Sequence, residues 1–196
     1  MTLLDLGIGN LHSLEKAFQR LPSTDVRETR DVAAALDTDL LVLPGVGAFS
    51  HAAAALAPAR EELRRALEDG LPAIGICLGM QLFFDTSEEG PGSGIGYFEG
   101  PVTKLRVARA PHMGWSRVHS TAHARGPSLP DAVYYAHSFA CRPADPSVVV
   151  AETRLAGETF PAVVRRGRVV GFQFHPEKSS NEGVALLLET AKELVR

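Results

Sequence analysis

The stretch Leu71-Pro-Ala-Ile-Gly-Ile-Cys-Leu-Gly-Met-Gln81 constrains this chain more than any other. Residues 73–76 form a short apolar run behind Pro72, the pattern of a buried strand. The run passes into Gly75-Ile-Cys-Leu-Gly79, and helix-forming residues continue over 80–84. A strand that turns into a helix at Gly-x-Cys-x-Gly is a cysteine form of the nucleophile elbow. The nucleophile of such an elbow sits in a strained conformation. Side chains two positions to either side would collide with it, so glycine belongs at 75 and 79. The N–H groups and positive dipole of the following helix favour a thiolate at Cys77. The competing reading is a small buried hydrophobe, for which the glycine frame has no use.

An elbow of this kind needs an α/β sheet around it, and the preceding residues supply one. Residues 2–6 read as a strand, 7–10 as a turn, and 11–21 carry apolar residues at helical spacing. A short strand at 26–29, a helix at 31–36 and a buried strand at 39–43 follow. The helical stretch 52–69 is broken at Pro58. This alternation predicts an open, mostly parallel, doubly wound sheet flanked by helices. Beyond a loop at 86–96, whose Glu88 and Glu89 read as a solvated acidic pair, the character changes. Short strands are predicted at 100–107, 115–119, 132–137, 148–153, 161–166 and 168–174, with a hairpin turn at Arg165-Arg-Gly-Arg168. They predict an added antiparallel layer in the C-terminal half. A last helix runs from an N-cap at Asn181 to Val195. With 196 residues, no repeat and no linker, residues 1–196 read as a single domain.

Charge and composition remove several classes of function. A net charge of −3 gives no broad electrostatic case for nucleic acid. No apolar run approaches membrane-spanning length and the N-terminus lacks a signal peptide's pattern, so no membrane role and a cytoplasmic location are expected. Cys77 and Cys141 could form one bridge at most and read as free thiols. Without Cys-x-x-Cys or His-Glu-x-x-His, neither a metal nor another cofactor is implied. The turn Gly7-Ile-Gly-Asn10 lacks the third glycine of a dinucleotide site, since position 12 is His, and reads as a tight turn with an exposed Asn10.

Two further stretches complete a chemistry. Pro44-Gly-Val-Gly-Ala-Phe49 follows the strand at 39–43, and its bare backbone N–H groups suit an oxyanion hole as well as a plain turn. In Gly171-Phe-Gln-Phe-His-Pro-Glu177, His175 falls at a strand end, with Glu177 two residues on and on the same side. A carboxylate on one imidazole nitrogen fixes the tautomer and leaves the other nitrogen as a base. All three stretches lie at carboxyl ends of predicted strands, where open α/β sheets place their sites. Nucleophile, oriented base and N–H donors together describe acyl transfer through a thioester. The residues alone also admit a stand-alone cysteine hydrolase or peptidase. A non-catalytic binding module would require a disabled triad.

Joined by Gly9-Asn10, Pro111-His-Met-Gly-Trp115, His137-Ser138 and Gln173-Phe-His-Pro-Glu-Lys-Ser179, these motifs resemble the class I (triad) glutamine amidotransferases of flavodoxin-like fold. The narrower signals, Pro-Gly-Val-Gly-Ala-Phe, Pro-His-Met-Gly-Trp and the Lys-Ser after Glu177, are similar to the glutaminase subunits of imidazole glycerol phosphate synthases. Relatives serving anthranilate, aminodeoxychorismate or pyridoxal phosphate synthesis usually differ there. The resemblance implies that Cys77 attacks glutamine, that His175 is acid and base, and that Glu177 orients it. It puts the oxyanion hole at the N–H of Leu78 and one from Val46 or Gly47. Gln81, Glu89 and the backbone of His137, Ser138 and Phe139 would bind glutamine. Asn10, Trp115, Tyr134 and Lys178 would face a (βα)8-barrel cyclase. That heterodimer would use the ammonia in histidine biosynthesis, making imidazole glycerol phosphate and an aminoimidazole carboxamide ribotide. The family usually has Tyr where this chain has Phe139, so a hydroxyl contact is missing there.

Overall fold

The computed structural model describes residues 1–7, 11–22, 24–45 and 47–196. The first half alternates as the apolar spacing requires: β1 (Thr2–Leu4), α1 (Leu11–Phe18), β2 (Arg27–Thr29), α2 (Val32–Ala35), β3 (Leu41–Leu43), α3 (Phe49–Leu56), α4 (Arg60–Glu68), β4 (Ala73–Ile76) and α5 (Leu78–Leu82). The break between α3 and α4 is a 3-10 turn, Ala57–Ala59, carrying Pro58. The second half contributes β5 (Thr86–Ser87), β6 (Pro101–Lys104), β7 (His112–Arg117), β8 (His119–Ser120), β9 (Ala132–His137), β10 (Phe139–Cys141), β11 (Val149–Leu155), β12 (Glu158–Arg166), β13 (Val169–Phe172) and α6 (Ser180–Leu194).

The main sheet has the order β2-β1-β3-β4-β13-β12-β11-β8. Its first five strands are parallel and follow the flavodoxin-like order. The antiparallel addition continues this same sheet through β12, β11 and β8 rather than forming a layer over it. Two small sheets, β10-β6-β5 and β7-β9, stand apart. Along β4 every residue is buried, as befits a strand covered on both faces. One core joins Leu3, Val42, Ile74 and Val170 to α1 and α6. The other joins Leu4, Leu43, Ala73 and Val169 to α3, α4 and α5.

Some local expectations change. The turn at 7–10 lies largely outside the described residues. Within the loop at 86–96, Thr86 and Ser87 pair with β6, and Glu88 Oε2 accepts from the Lys104 N–H at 2.8 Å, so this glutamate ties two strands. Asn181 sits inside α6, whose N-cap is Ser179. Among the described residues no helix is long and apolar enough to cross a membrane.

Candidate active site

Cys77 adopts φ 51°, ψ −102°, a backbone conformation that costs free energy for any residue with a side chain. Hydrogen bonds on both sides hold it there: Cys77 N donates to Phe172 O at 2.6 Å, and Gln81 N to Cys77 O at 3.1 Å. The glycines of the elbow have a different purpose from the one expected. A Cβ at Gly75 would stand 2.5 Å from the Phe83 ring and 2.6 Å from Gly79 O, and one at Gly79 would stand 2.0 Å from Leu43 O. They let α5 lie directly on β3 and β4; the nearest obstacles are the Phe83 ring and the backbone of Gly79 and Leu43. With α5 only five residues long, the first-turn N–H groups, not a summed dipole, are what it offers the sulfur.

The loop after β3 rests on this elbow. A Cβ at Gly45 would lie 1.5 Å from Ile76 O and 2.6 Å from Leu78 N, so only glycine permits the contact. Gly45 thereby brings loop backbone beside the Leu78 N–H. Gly47 lines the same cleft, while Val46 lies outside the described residues.

β13 runs parallel to β4, with Phe172 opposite Ile76. Cys77 and the segment leading to His175 therefore leave adjacent strand ends. His175, 1% exposed, is clamped through its backbone. Its N–H donates to Tyr134 O at 2.9 Å. Ser179 Oγ donates to His175 O at 2.7 Å and accepts from Tyr134 N at 2.9 Å. His175 Nδ1 lies 2.9 Å from Glu177 Oε1, with both side chains buried. Nε2 is buried with no hydrogen-bond partner among the described residues. Burial pushes the His175 pKa down, but the nearby Cys77 sulfur and the Glu177 carboxylate outweigh it and raise it to about 9. At neutral pH the ring is a cation, the charge a neighbouring thiolate requires.

A cleft of about 260 Å³ opens over the sulfur. Leu78, Gln81, Glu89, His137, Ser138 and Phe139 line it with Gly47 and Cys77, and Gly45, Pro111, Met113 and Ala136 complete it. A strained cysteine with a buried His–Glu pair beside it and backbone N–H groups in the wall of a small cleft can perform acyl transfer. A larger cleft of about 500 Å³ lies near Met1, Asp25, Asp39 and Lys192, at the amino ends of the strands, and contains no such group.

Residues 2–192 match the family model for glutamine amidotransferase class-I. The chain is 38% identical to "Imidazole glycerol phosphate synthase subunit HisH" of Pyrococcus furiosus, with 95% of each chain covered. It is 40% identical to the protein of that name from Aquifex aeolicus, over 94% of this chain and 92% of that one. The chain belongs to the HisH family of class I glutamine amidotransferases. It is an enzyme of the glutaminase type. A solved glutamine amidotransferase, 20% identical, shares the fold with a TM-score of 0.74 over 99% of this chain and 97% of that one.

Within this amidotransferase several side chains have more to do than the sequence suggests. Glu89 Oε2 accepts from Phe49 N at 2.8 Å and so caps α3, whose own N-cap, Ala48, has no side chain for the purpose. It is not the solvated group expected of an acidic loop. Gln81 Nε2 donates to Phe139 O at 2.9 Å and to Gln173 Oε1 at 3.3 Å, which occupies both its hydrogens and leaves Oε1 for a substrate donor. His137 turns its ring inward: Nδ1 is 2.8 Å from Phe139 O and Nε2 is 3.2 Å from His112 Nδ1. Burial lowers the His137 pKa to about 4 and also lowers that of His112, so both rings are neutral at pH 7. A carbonyl only accepts, hence His137 carries its proton on Nδ1 and takes one from His112, whose Nε2 meets Ser116 Oγ at 2.9 Å. His137 thus reaches the cleft through its backbone.

Trp115 is 54% exposed, and its ring centre lies 6.3 Å from that of Tyr134 across the β7-β9 pair. Lys178 is exposed in the turn Pro176–Lys178. Asn10 lies outside the described residues. Reasoning from sequence left Met113 unassigned, although it is 65% exposed and two residues from Trp115 on the same strand face. It also gave no role to Ser179 or Gln173. Ser179 had a signal in the motif following Glu177; the partners of Gln173 had none.

Proposed function

We propose that this chain hydrolyses glutamine to glutamate and ammonia through a Cys77 thioester and hands the ammonia to a (βα)8-barrel cyclase, as the glutaminase subunit of an imidazole glycerol phosphate synthase. The observation that carries this reading is the buried His175–Glu177 pair, with Nε2 free, beside a strained Cys77 at the floor of the cleft. The sulfur attacks the side-chain amide carbon of glutamine. The developing oxyanion is held by the Leu78 N–H and by one from Val46 or Gly47. His175 gives its proton to the departing ammonia, then takes one from the water that cleaves the thioester. Glu177 keeps the ring in register and stabilises its charge. Gln81 Oε1, Glu89 and the backbone of His137, Ser138 and Phe139 hold the substrate.

Ammonia released into bulk water at neutral pH would be protonated and lose its nucleophilicity, so the product must pass directly to a partner. Trp115, Met113, Tyr134 and Lys178, with Asn10, form the docking face in this reading. The two free thiols suit a reducing cytoplasm. Gly47, at φ 124°, holds a conformation that lets its peptide plane turn, which would allow the partner's ligand to switch the oxyanion hole.

A coupled assay with a barrel cyclase tests the proposal. The complex carrying Cys77→Ala should make product from ammonium salt and none from glutamine. Glutamine-dependent synthesis by that variant would refute it.

A further inference from the structure

We propose that Gln173 donates a hydrogen bond to the nucleophilic sulfur and so stabilises its thiolate. The inference rests on the reading of Cys77 as the nucleophile. Gln173 is fully buried, and its backbone N–H is anchored on Ala162 O of β12 at 2.9 Å. Its Nε2 lies 3.8 Å from Cys77 Sγ and its Oε1 3.3 Å from Gln81 Nε2.

The direction of that side chain follows from chemistry rather than from assigning atoms. Phe139 O can only accept, so the Gln81 terminus facing it is the NH2 group. The second hydrogen of that group then needs an acceptor, and Gln173 supplies its oxygen. Gln173 is left with its NH2 towards the sulfur. One backbone carbonyl thus orients two amides in series and delivers an N–H donor to Cys77.

Besides the His175 ring, the sulfur has a second polar neighbour in Ala136 O, also at 3.8 Å. A carbonyl favours the protonated thiol, which can donate to it; an amide N–H favours the thiolate, which can accept from it. The sulfur therefore lies between a partner for each of its two states. At 3.8 Å the amide contact is long, and a negative charge on sulfur would draw it shorter. The donor acts twice in a turnover. It stabilises the thiolate before attack. When water cleaves the acyl-enzyme, the new C–O bond forms, the C–S electron pair returns to sulfur, and the same N–H receives it.

The test is the rate of Cys77 alkylation by iodoacetamide as a function of pH, read by mass spectrometry of the Cys77 peptide, with chain and cyclase in complex. Gln173→Met keeps the length and apolar packing and removes the donor. It should slow alkylation about tenfold at pH 7, the low end for a bond to a charged group. The slowing should fade as the pH rises, because hydroxide then removes the thiol proton in wild type and variant alike. Gln81→Met releases the orientation of Gln173 and should produce a smaller slowing with the same pH dependence. It decides the matter if Gln173→Met does not fold. Equal rates at pH 7, or a slowing that persists at high pH, would overturn the proposal and assign Gln173 to packing alone. Wild-type protein whose Cys77 fails to label ahead of Cys141 would instead overturn the reading of Cys77 as nucleophile.

Discussion

Replacing Glu177 by glutamine preserves the shape of the side chain and removes its charge. The carboxylate lies 2.9 Å from His175 Nδ1, and neither side chain has water to substitute for the other, since they are 6% and 2% exposed. A hydrogen bond to a charged group contributes about 1.5–3 kcal/mol against about 1 for a neutral one. The imidazolium therefore loses roughly 1–2 kcal/mol of stabilisation, and its pKa falls from about 9 towards the ordinary 6.5. In the proposed mechanism His175 gives its proton to the departing ammonia, so glutaminase kcat/KM should fall about 5- to 30-fold at pH 7.5. A glutamine that turns its NH2 to Nδ1 would select the wrong tautomer and deepen the loss. The pH profile identifies the cause. The upper limb of kcat/KM, set by loss of the His175 proton near pH 9, should move down in the variant. The assay is glutamate release by the complex, with ammonium-supported synthesis as the control for an intact partner. A variant within threefold of wild type, with its upper limb still near 9, would refute the role given to Glu177.

Two other outcomes follow from the same geometry. Gly45→Ala would put a methyl group 1.5 Å from Ile76 O, so the loop must withdraw from the elbow; urea unfolding should show a loss of about 3 kcal/mol or more, with glutamine turnover down at least 100-fold. Because His175 binds its proton more tightly when folded, its contribution to stability is complete below pH 6.5 and is lost as pH rises through about 9; denaturation midpoints at pH 6 and 9.5 should differ in that direction for the wild type and much less for His175→Gln.

The parts legible in the sequence were those in which local pattern and burial agree. The run Ala73–Ile76 is a strand because its four residues are apolar and are covered on both faces. The strand Ala132–His137 kept its bounds for another reason: Val133, Tyr135 and His137 alternate inward with period 2. The same alternation carries the His137 ring to the interior, where it meets His112. Phe139–Cys141 carries too few residues for periodicity to speak, and its pairing with β6 is a tertiary matter. The direction of the Gln173 amide depends on a carbonyl of another strand, and no local rule contains it.

The adjacency that unites Cys77 with His175 was inferred from strand ends, but its enforcement is visible only in the sheet. Gly75 and Gly171 are register partners on β4 and β13, and both lie under α5. A Cβ on Gly75 meets Gly79 O and the Phe83 ring; one on Gly171 meets Met80 Cγ at 2.6 Å. Sliding β13 by one residue would bring Val170 or Phe172 to the site opposite Gly75 and turn every side chain of the strand to the other face. Helix α5 has no room for either. The glycine pair thus selects the one register in which Ile76 stands opposite Phe172, so that the strand ends one residue before Cys77 and three before His175 leave the sheet side by side. The placing of Cys77 beside His175 is in this sense a consequence of how closely α5 is seated, and a larger residue at 171 should move Cys77 away from the His175–Glu177 pair without touching any of the three.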